Sequence, residues 1–159
     1  MTLVLGIDPG TATTGFGLVR EKDDGSLEMV EYGIISTPKD IAAHYRLVQL
    51  YDEMKKLLKH HKPDSAAVEK LFFQRNISTA IAVGQARGVV MLAIAQANLD
   101  VAEYTPNEVK QAVAGYGSAD KKQVQEMVKV LLALPSLPKP DDAADALAIA
   151  ITHLHTRRY

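Results

Sequence analysis

Apolar and polar positions along the chain change period several times, and each change marks an element. Residues 3–7 form a nearly unbroken apolar run, as a buried strand does, and residues 14–20 alternate as a second strand. Asp23-Asp24-Gly25-Ser26 is turn chemistry, and Leu27–Ser36 continues the meander as a third strand. Over residues 41–61 the period lengthens. Leu47, Leu50, Tyr51, Met54, Leu57 and Leu58 recur at three and four, which predicts an amphipathic helix that Pro63 ends. Residues 65–68 predict a short fourth strand with Glu69 at its end, and residues 78–97 a helix rich in Ala and Gly. Val101–Tyr104 predicts a fifth strand. Three helices follow, over residues 107–114, 120–132 and 141–155, separated by Gly115-Tyr116-Gly117-Ser118 and by a loop stiffened with Pro135, Pro138 and Pro140.

A three-strand meander followed by alternating strands and helices implies a mixed sheet with helices on both faces. The expected class is α/β, with a five-stranded mixed sheet flanked by helices, in the element order of a ribonuclease H-like fold. The chain has 159 residues. That length, with no repeat and no linker-like stretch, predicts a single domain over residues 1–159.

Composition removes several chemistries. There is no cysteine, so disulfides, zinc-thiolate sites and thiol nucleophiles are excluded. No apolar run approaches the roughly 18 residues of a membrane span, and the first residues enter a strand pattern with no secretory signature; the expectation is a cytoplasmic protein. The net charge is −1, which does not by itself point to nucleic acid. Its distribution is more telling: residues 70–97 hold Lys70, Arg75 and Arg87 and no acidic residue.

Four carboxylates stand out against their surroundings. Asp8 closes the first strand and is followed by Pro9, which cannot continue a central ladder, and by Gly10. A carboxylate there projects from the end of the sheet where such folds bind ligands. Glu69 sits between the apolar runs Ala66-Ala67-Val68 and Leu71-Phe72-Phe73, where an uncompensated charge is costly. Asp142 and Asp145 are three apart on the last helix, hence on one face, and Asp145 is set among alanines a turn inside it. Asp141 suits an N-cap role instead. Like charges so placed need something positive between them. An all-oxygen set suits Mg²⁺, and two such ions would serve an in-line displacement at phosphorus. His153 and His155 lie further along the helix and are not expected to bind metal.

The segments Gly6-Ile7-Asp8-Pro9-Gly10, Val68-Glu69, Gly84-Gln85-Ala86-Arg87-Gly88 and Asp142-Ala143-Ala144-Asp145-Ala146-Leu147-Ala148-Ile149-Ala150, in this order and at these distances, resemble the RuvC-type Holliday junction resolvases nearly end to end. The resemblance implies a homodimeric crossover junction endodeoxyribonuclease that nicks two opposed strands of a four-way DNA junction symmetrically, using Mg²⁺ or Mn²⁺, with two ions per active site. It places the four acidic positions on Asp8, Glu69, Asp142 and Asp145, a junction-facing aromatic on Phe72, and phosphate-binding lysines on Lys110 and Lys121. It also suggests a branch-migration complex as partner. The residues agree in kind. Phe72 suits stacking on an unpaired base, and Arg75, Lys110 and Lys121 suit phosphate neutralisation. One departure is Ala12, where many members carry arginine.

Three other classes compete. Asp8-Pro9-Gly10-Thr11 resembles the first phosphate loop of actin-like and sugar kinases, but those need a second lobe and a second loop. A related ribonuclease H-like nuclease acting on RNA–DNA hybrids or other branched nucleic acid would share the metal chemistry. A catalytically silent junction-binding module would have no use for all four carboxylates.

Overall fold

A computed structural model of the chain describes residues 1–10, 12–70 and 77–156. The strands β1 (Thr2–Asp8), β2 (Thr13–Glu21), β3 (Leu27–Ser36), β4 (Ser65–Glu69) and β5 (Val101–Tyr104) form one sheet in the order β3-β2-β1-β4-β5. The meander pairs antiparallel, while β4 lies parallel to both β1 and β5. The expected five-stranded mixed sheet is therefore present. Helices α1 (Ala43–His61) and α2 (Ile77–Gln96) cover one face; α3 (Pro106–Ala114), α4 (Lys121–Leu131) and α5 (Asp141–Thr156) cover the other.

Strand alternation sorts side chains between these two layers. On β1, Leu3, Leu5 and Ile7 join the core under α1 and α2, with Phe16 and Leu18 of β2, Met54 of α1 and Val90 of α2. Val4 joins the other core, with Val19, Val128, Leu147 and Ile151. Gly6 falls on the same side as Val4, and α5 lies directly upon it. A Cβ on Gly6 would stand 2.1 Å from the Ala146 carbonyl oxygen, and one on Gly15 only 2.0 Å from that of Asp142. At Gly17 a Cβ would meet the Leu147 backbone nitrogen at 2.9 Å. Gly6 pairs across the ladder with Gly17, and Asp8 with Gly15. Three glycines thus form a bare floor on which α5, itself rich in alanine, approaches the sheet backbone to backbone.

Local signals at the helix ends are also used. Thr105 and Glu108 form a reciprocal capping box on α3, and Asp120 and Gln123 do the same on α4. The expected Asp141 cap is corrected. Asp141 lies inside the first turn of α5, and the Pro140 carbonyl accepts the N–H groups of Ala143 and Ala144. The side chain of Asp141 instead meets Gln125 and Lys121.

Helix α2 modifies the expectation about apolar length. Its window Thr79–Gln96 averages a hydropathy of 1.3 over 18 residues, long and apolar enough to cross a membrane by length and composition. Gln85 and Arg87 interrupt it, and Arg87 donates to Glu103 of β5 at 3.0 Å. One side of the helix buries Ala86, Val90, Ala93 and Ile94, while Ile77, Ile81 and Leu92 remain exposed.

The glycine floor has a measurable consequence. Gly6→Ala or Gly15→Ala forces α5 off the sheet; overpacking against backbone is expected to cost about 3 kcal/mol or more. For a chain of this size that lowers the melting temperature by roughly 6–12 °C. An unchanged melting temperature in both variants would show that α5 does not rest on these glycines.

Candidate metal centre

Asp8 ends β1 and Glu69 ends β4, and these strands are parallel neighbours, so both carboxylates emerge at one end of the sheet. Asp142 and Asp145 come to the same place from the first turns of α5, because the glycine floor brings that helix down onto β1 and β2. Asp8, Asp142 and Asp145 each offer an oxygen, all within 4.8 Å of one another. Glu69 is not one of that trio, but its charge acts on Asp8 and the charge of Asp145 acts on it. Thr13, the first residue of β2, shares the face of Gly15 and Gly17. Its Oγ1 donates to Asp142 Oδ2 at 2.7 Å, which fixes that carboxylate.

Three ionised carboxylates cannot share this space unaided. At such separations each pair repels by roughly 3–4 kcal/mol for an effective dielectric near 20. The sum over three pairs is comparable with the whole stability of an ordinary domain. The protons respond accordingly. Burial first, then the charges of Asp145, Glu69 and Asp142, push the Asp8 carboxyl from an ordinary 3.8 up to about 8. Its proton is donated to Asp145. Burial also raises Asp145, against the pull of Lys121. Burial and Asp145 raise Glu69, while Lys121 and Lys110 hold it back. An all-oxygen donor set, half-buried and short of positive charge, has the chemistry of a hard divalent cation site.

The lysines expected at phosphate are both at this end. Lys121, at the start of α4, stands 3.6 Å from Asp145 Oδ2 and 3.5 Å from Asp141 Oδ2. Burial works against its charge, but Asp145 and Asp141 prevail and raise its pKa. It is exposed, and an exposed pair of this kind is worth at most about 1 kcal/mol, so the ammonium can exchange carboxylate for phosphate. Lys110 of α3 is half-buried within electrostatic reach of Glu69. Phe72 and Arg75 lie outside the described residues. His153, near the far end of α5, is buried: its Nε2 lies 3.1 Å from Ser65 Oγ and its Nδ1 2.7 Å from the Tyr104 hydroxyl.

Two contributors were not identified from the sequence. Thr13 orients Asp142, and Gly6, Gly15 and Gly17 admit α5. Their signal was the spacing Thr13, Gly15, Gly17, three small residues on one face of a strand otherwise filled with large ones.

Comparison with known proteins gives the family. The family described as crossover junction endodeoxyribonuclease RuvC matches residues 4–153. A crossover junction endodeoxyribonuclease RuvC of Chloroflexus aggregans is 57% identical over 96% of this chain and 92% of its own. One from Desulfitobacterium hafniense is 58% identical over 97% and 93%. Among solved structures, Thermus thermophilus RuvC in complex with Holliday junction substrate superposes with a TM-score of 0.94 at 37% identity, covering 99% of this chain and 96% of that one. The yeast mitochondrial Holliday junction resolvase Ydc2 shares the fold, with a TM-score of 0.68 at 16% identity over 97% of this chain and 79% of that one.

The raised carboxyls make stability depend on pH. Because Asp8 holds its proton more tightly folded than unfolded, its contribution is fully present below about pH 4 and is lost as pH rises through about 8. The metal-free protein is therefore expected to melt lower at pH 8.5 than at pH 6. Asp8→Asn should flatten that dependence and raise the melting temperature at pH 8.5 by several degrees. Equal pH profiles for the two proteins in calorimetry would refute the crowding of Asp8.

Proposed function

We propose, from the premise that this chain belongs to the RuvC family of crossover junction endodeoxyribonucleases, that it resolves four-way DNA junctions by metal-dependent hydrolysis of one phosphodiester in each of two opposed strands. The observation that carries the reading is the meeting of Asp8, Asp142 and Asp145 at the end of the sheet, with Glu69 beside them. These four would hold the metal, with Mg²⁺ as the working ion, Mn²⁺ as a substitute and two ions per site. When bound, the ions activate a water and stabilise the leaving oxygen of an in-line displacement. The chain's own residues do the rest. Thr13 keeps Asp142 turned toward the centre. Asp8 gives up its proton when the site is filled. Lys110 and Lys121 flank the carboxylates and bind the phosphates of the strand to be cut. Phe72 is assigned the stacking role at the opened junction, and Arg75 a phosphate contact.

Paired cuts require two such sites related by a two-fold axis. A homodimer is proposed on the exposed face of α2. Ile81 and Leu92 lie 55% and 51% exposed there, with Gly88 between them leaving room for a close approach.

A synthetic mobile four-way junction, labelled on each strand in turn, tests this. The expected result is paired nicks at symmetric positions with Mg²⁺ and none without it. Asp8→Asn should bind the junction and cut it at least about 100-fold more slowly, the scale on which loss of an electrostatic catalytic group is felt. If an RNA–DNA hybrid is cut and the junction is not, the metal centre stands and the substrate is wrong. Normal cutting by Asp8→Asn would remove the metal assignment.

A further inference from the structure

The clustered carboxylates Asp8, Asp142 and Asp145 are held by partners of different kinds. Asp8 donates its proton to Asp145, and a cation entering the site displaces that proton. Asp145 also leans on Lys121 at 3.6 Å, an exposed ammonium on a flexible stem. Both of these partners are exchangeable. Asp142 is held by a short side chain rooted in a strand: Thr13 Oγ1 donates to its Oδ2 at 2.7 Å.

Thr13 itself has little freedom. It opens β2 and pairs with Ser36 of β3. Just before it, the Ala12 carbonyl accepts the Thr37 N–H at 3.2 Å. A Cβ on Gly10 would stand 2.2 Å from the Thr13 carbonyl oxygen, so the chain packs closely on itself there. Thr13 is half-buried, and a β-branched side chain has few choices of χ1. Alternation puts it on the face of Gly15, which lies against the Asp142 backbone: a Cβ there would meet the Asp142 carbonyl oxygen at 2.0 Å. The hydroxyl is thus brought to the Asp142 side chain by packing that does not depend on charge. It stays in place when the proton and the ammonium move.

Resting on the metal-centre reading above, we propose that Thr13 sets which divalent cation the site prefers: by holding one oxygen of Asp142 it opposes the rotation through which that carboxylate would give both oxygens to a cation, and so favours Mg²⁺ over Ca²⁺. Mg²⁺ is small and demands near-octahedral ligation, whereas Ca²⁺ takes about six to eight oxygens at longer distances and accepts carboxylates bidentate. A site with one rigid carboxylate beside two adaptable ones suits the smaller ion. Thr13 is a positioning residue in this account, since it acts through Asp142. Hydrogen bonds to ligating carboxylates tune metal sites in this way.

The test is calorimetric titration of Mg²⁺ and, separately, Ca²⁺ into the full chain at one pH and salt concentration, without DNA. Thr13→Val keeps the branched shape and removes the donor; Thr13→Ser keeps the donor. Thr13→Val is expected to lose about 10-fold in Mg²⁺ affinity, the lower end of what such a hydrogen bond contributes. It should lose less for Ca²⁺, so that the ratio of Mg²⁺ to Ca²⁺ affinity falls. Thr13→Ser should keep the wild-type ratio. Thr13→Ala, which also lacks the donor, replaces Thr13→Val should that variant fail to fold. An unchanged ratio in the variants without the donor overturns the proposal. So does an equal fall in Thr13→Ser, since the shape of the side chain and not its hydroxyl would then govern. A wild-type chain that binds neither ion fails the metal-centre reading itself, a result distinct from wild-type binding with an unaltered ratio in Thr13→Val.

Discussion

Everything distinctive in this molecule depends on how closely α5 lies against the sheet. Side chains normally hold a helix well away from the strands beneath it. Here Gly6, Gly15 and Gly17 remove them over a patch centred on the β1–β2 ladder, and the alanines of α5 remove them from the other side. The helix therefore rests on backbone, and Asp142 and Asp145 reach the end of β1, where Asp8 stands. At its far end α5 is anchored differently. His153 sits between Ser65 of β4 and Tyr104 of β5, in a buried hydrogen-bonded set. The helix is thus fixed to β1 and β2 by shape and to β4 and β5 by polar contacts, and the carboxylates inherit that rigidity.

This close packing works against stability at the place where it serves function. Burial first, and then the neighbouring carboxylates, raise Asp8 to about 8, and the folded chain tolerates the cluster by retaining a proton and by leaning Lys121 on Asp145. Neither is as effective as a divalent cation, which would satisfy several oxygens at once. The unfavourable arrangement in the metal-free chain is therefore what gives the centre its appetite for metal. Stability conceded at an active site is a common feature of enzymes.

Much of this was legible in the sequence, for physical reasons that differ by residue. The strands and helices could be read because burial on one or two faces imposes a period, as Leu47, Leu50, Met54 and Leu58 show on α1. Asp8, Glu69, Asp142 and Asp145 stood out because a charge in an apolar setting demands a partner. The glycine floor was not read, because its meaning lies in register: Gly6 and Gly17 are distant in sequence and become neighbours only across the ladder. Thr13 was missed for the same reason, since Asp142 is 129 residues away. Asp141 was taken as a cap because it follows a proline, whereas Lys121 draws it into the site's electrostatics. The apolar character of α2 was underestimated, because Gln85 and Arg87 break the run without lowering its average much.

The most direct test of the central claim is to count protons as the metal binds. Mg²⁺ and Mn²⁺ would be titrated into the protein by calorimetry at about pH 7, in buffers of differing ionisation enthalpy. If the cluster holds the metal and Asp8 carries its proton until then, binding releases a substantial fraction of one proton per site, and release fades above about pH 8. Asp8→Asn should abolish the release. Metal binding with no proton release across this range, or release undiminished in Asp8→Asn, would contradict the account.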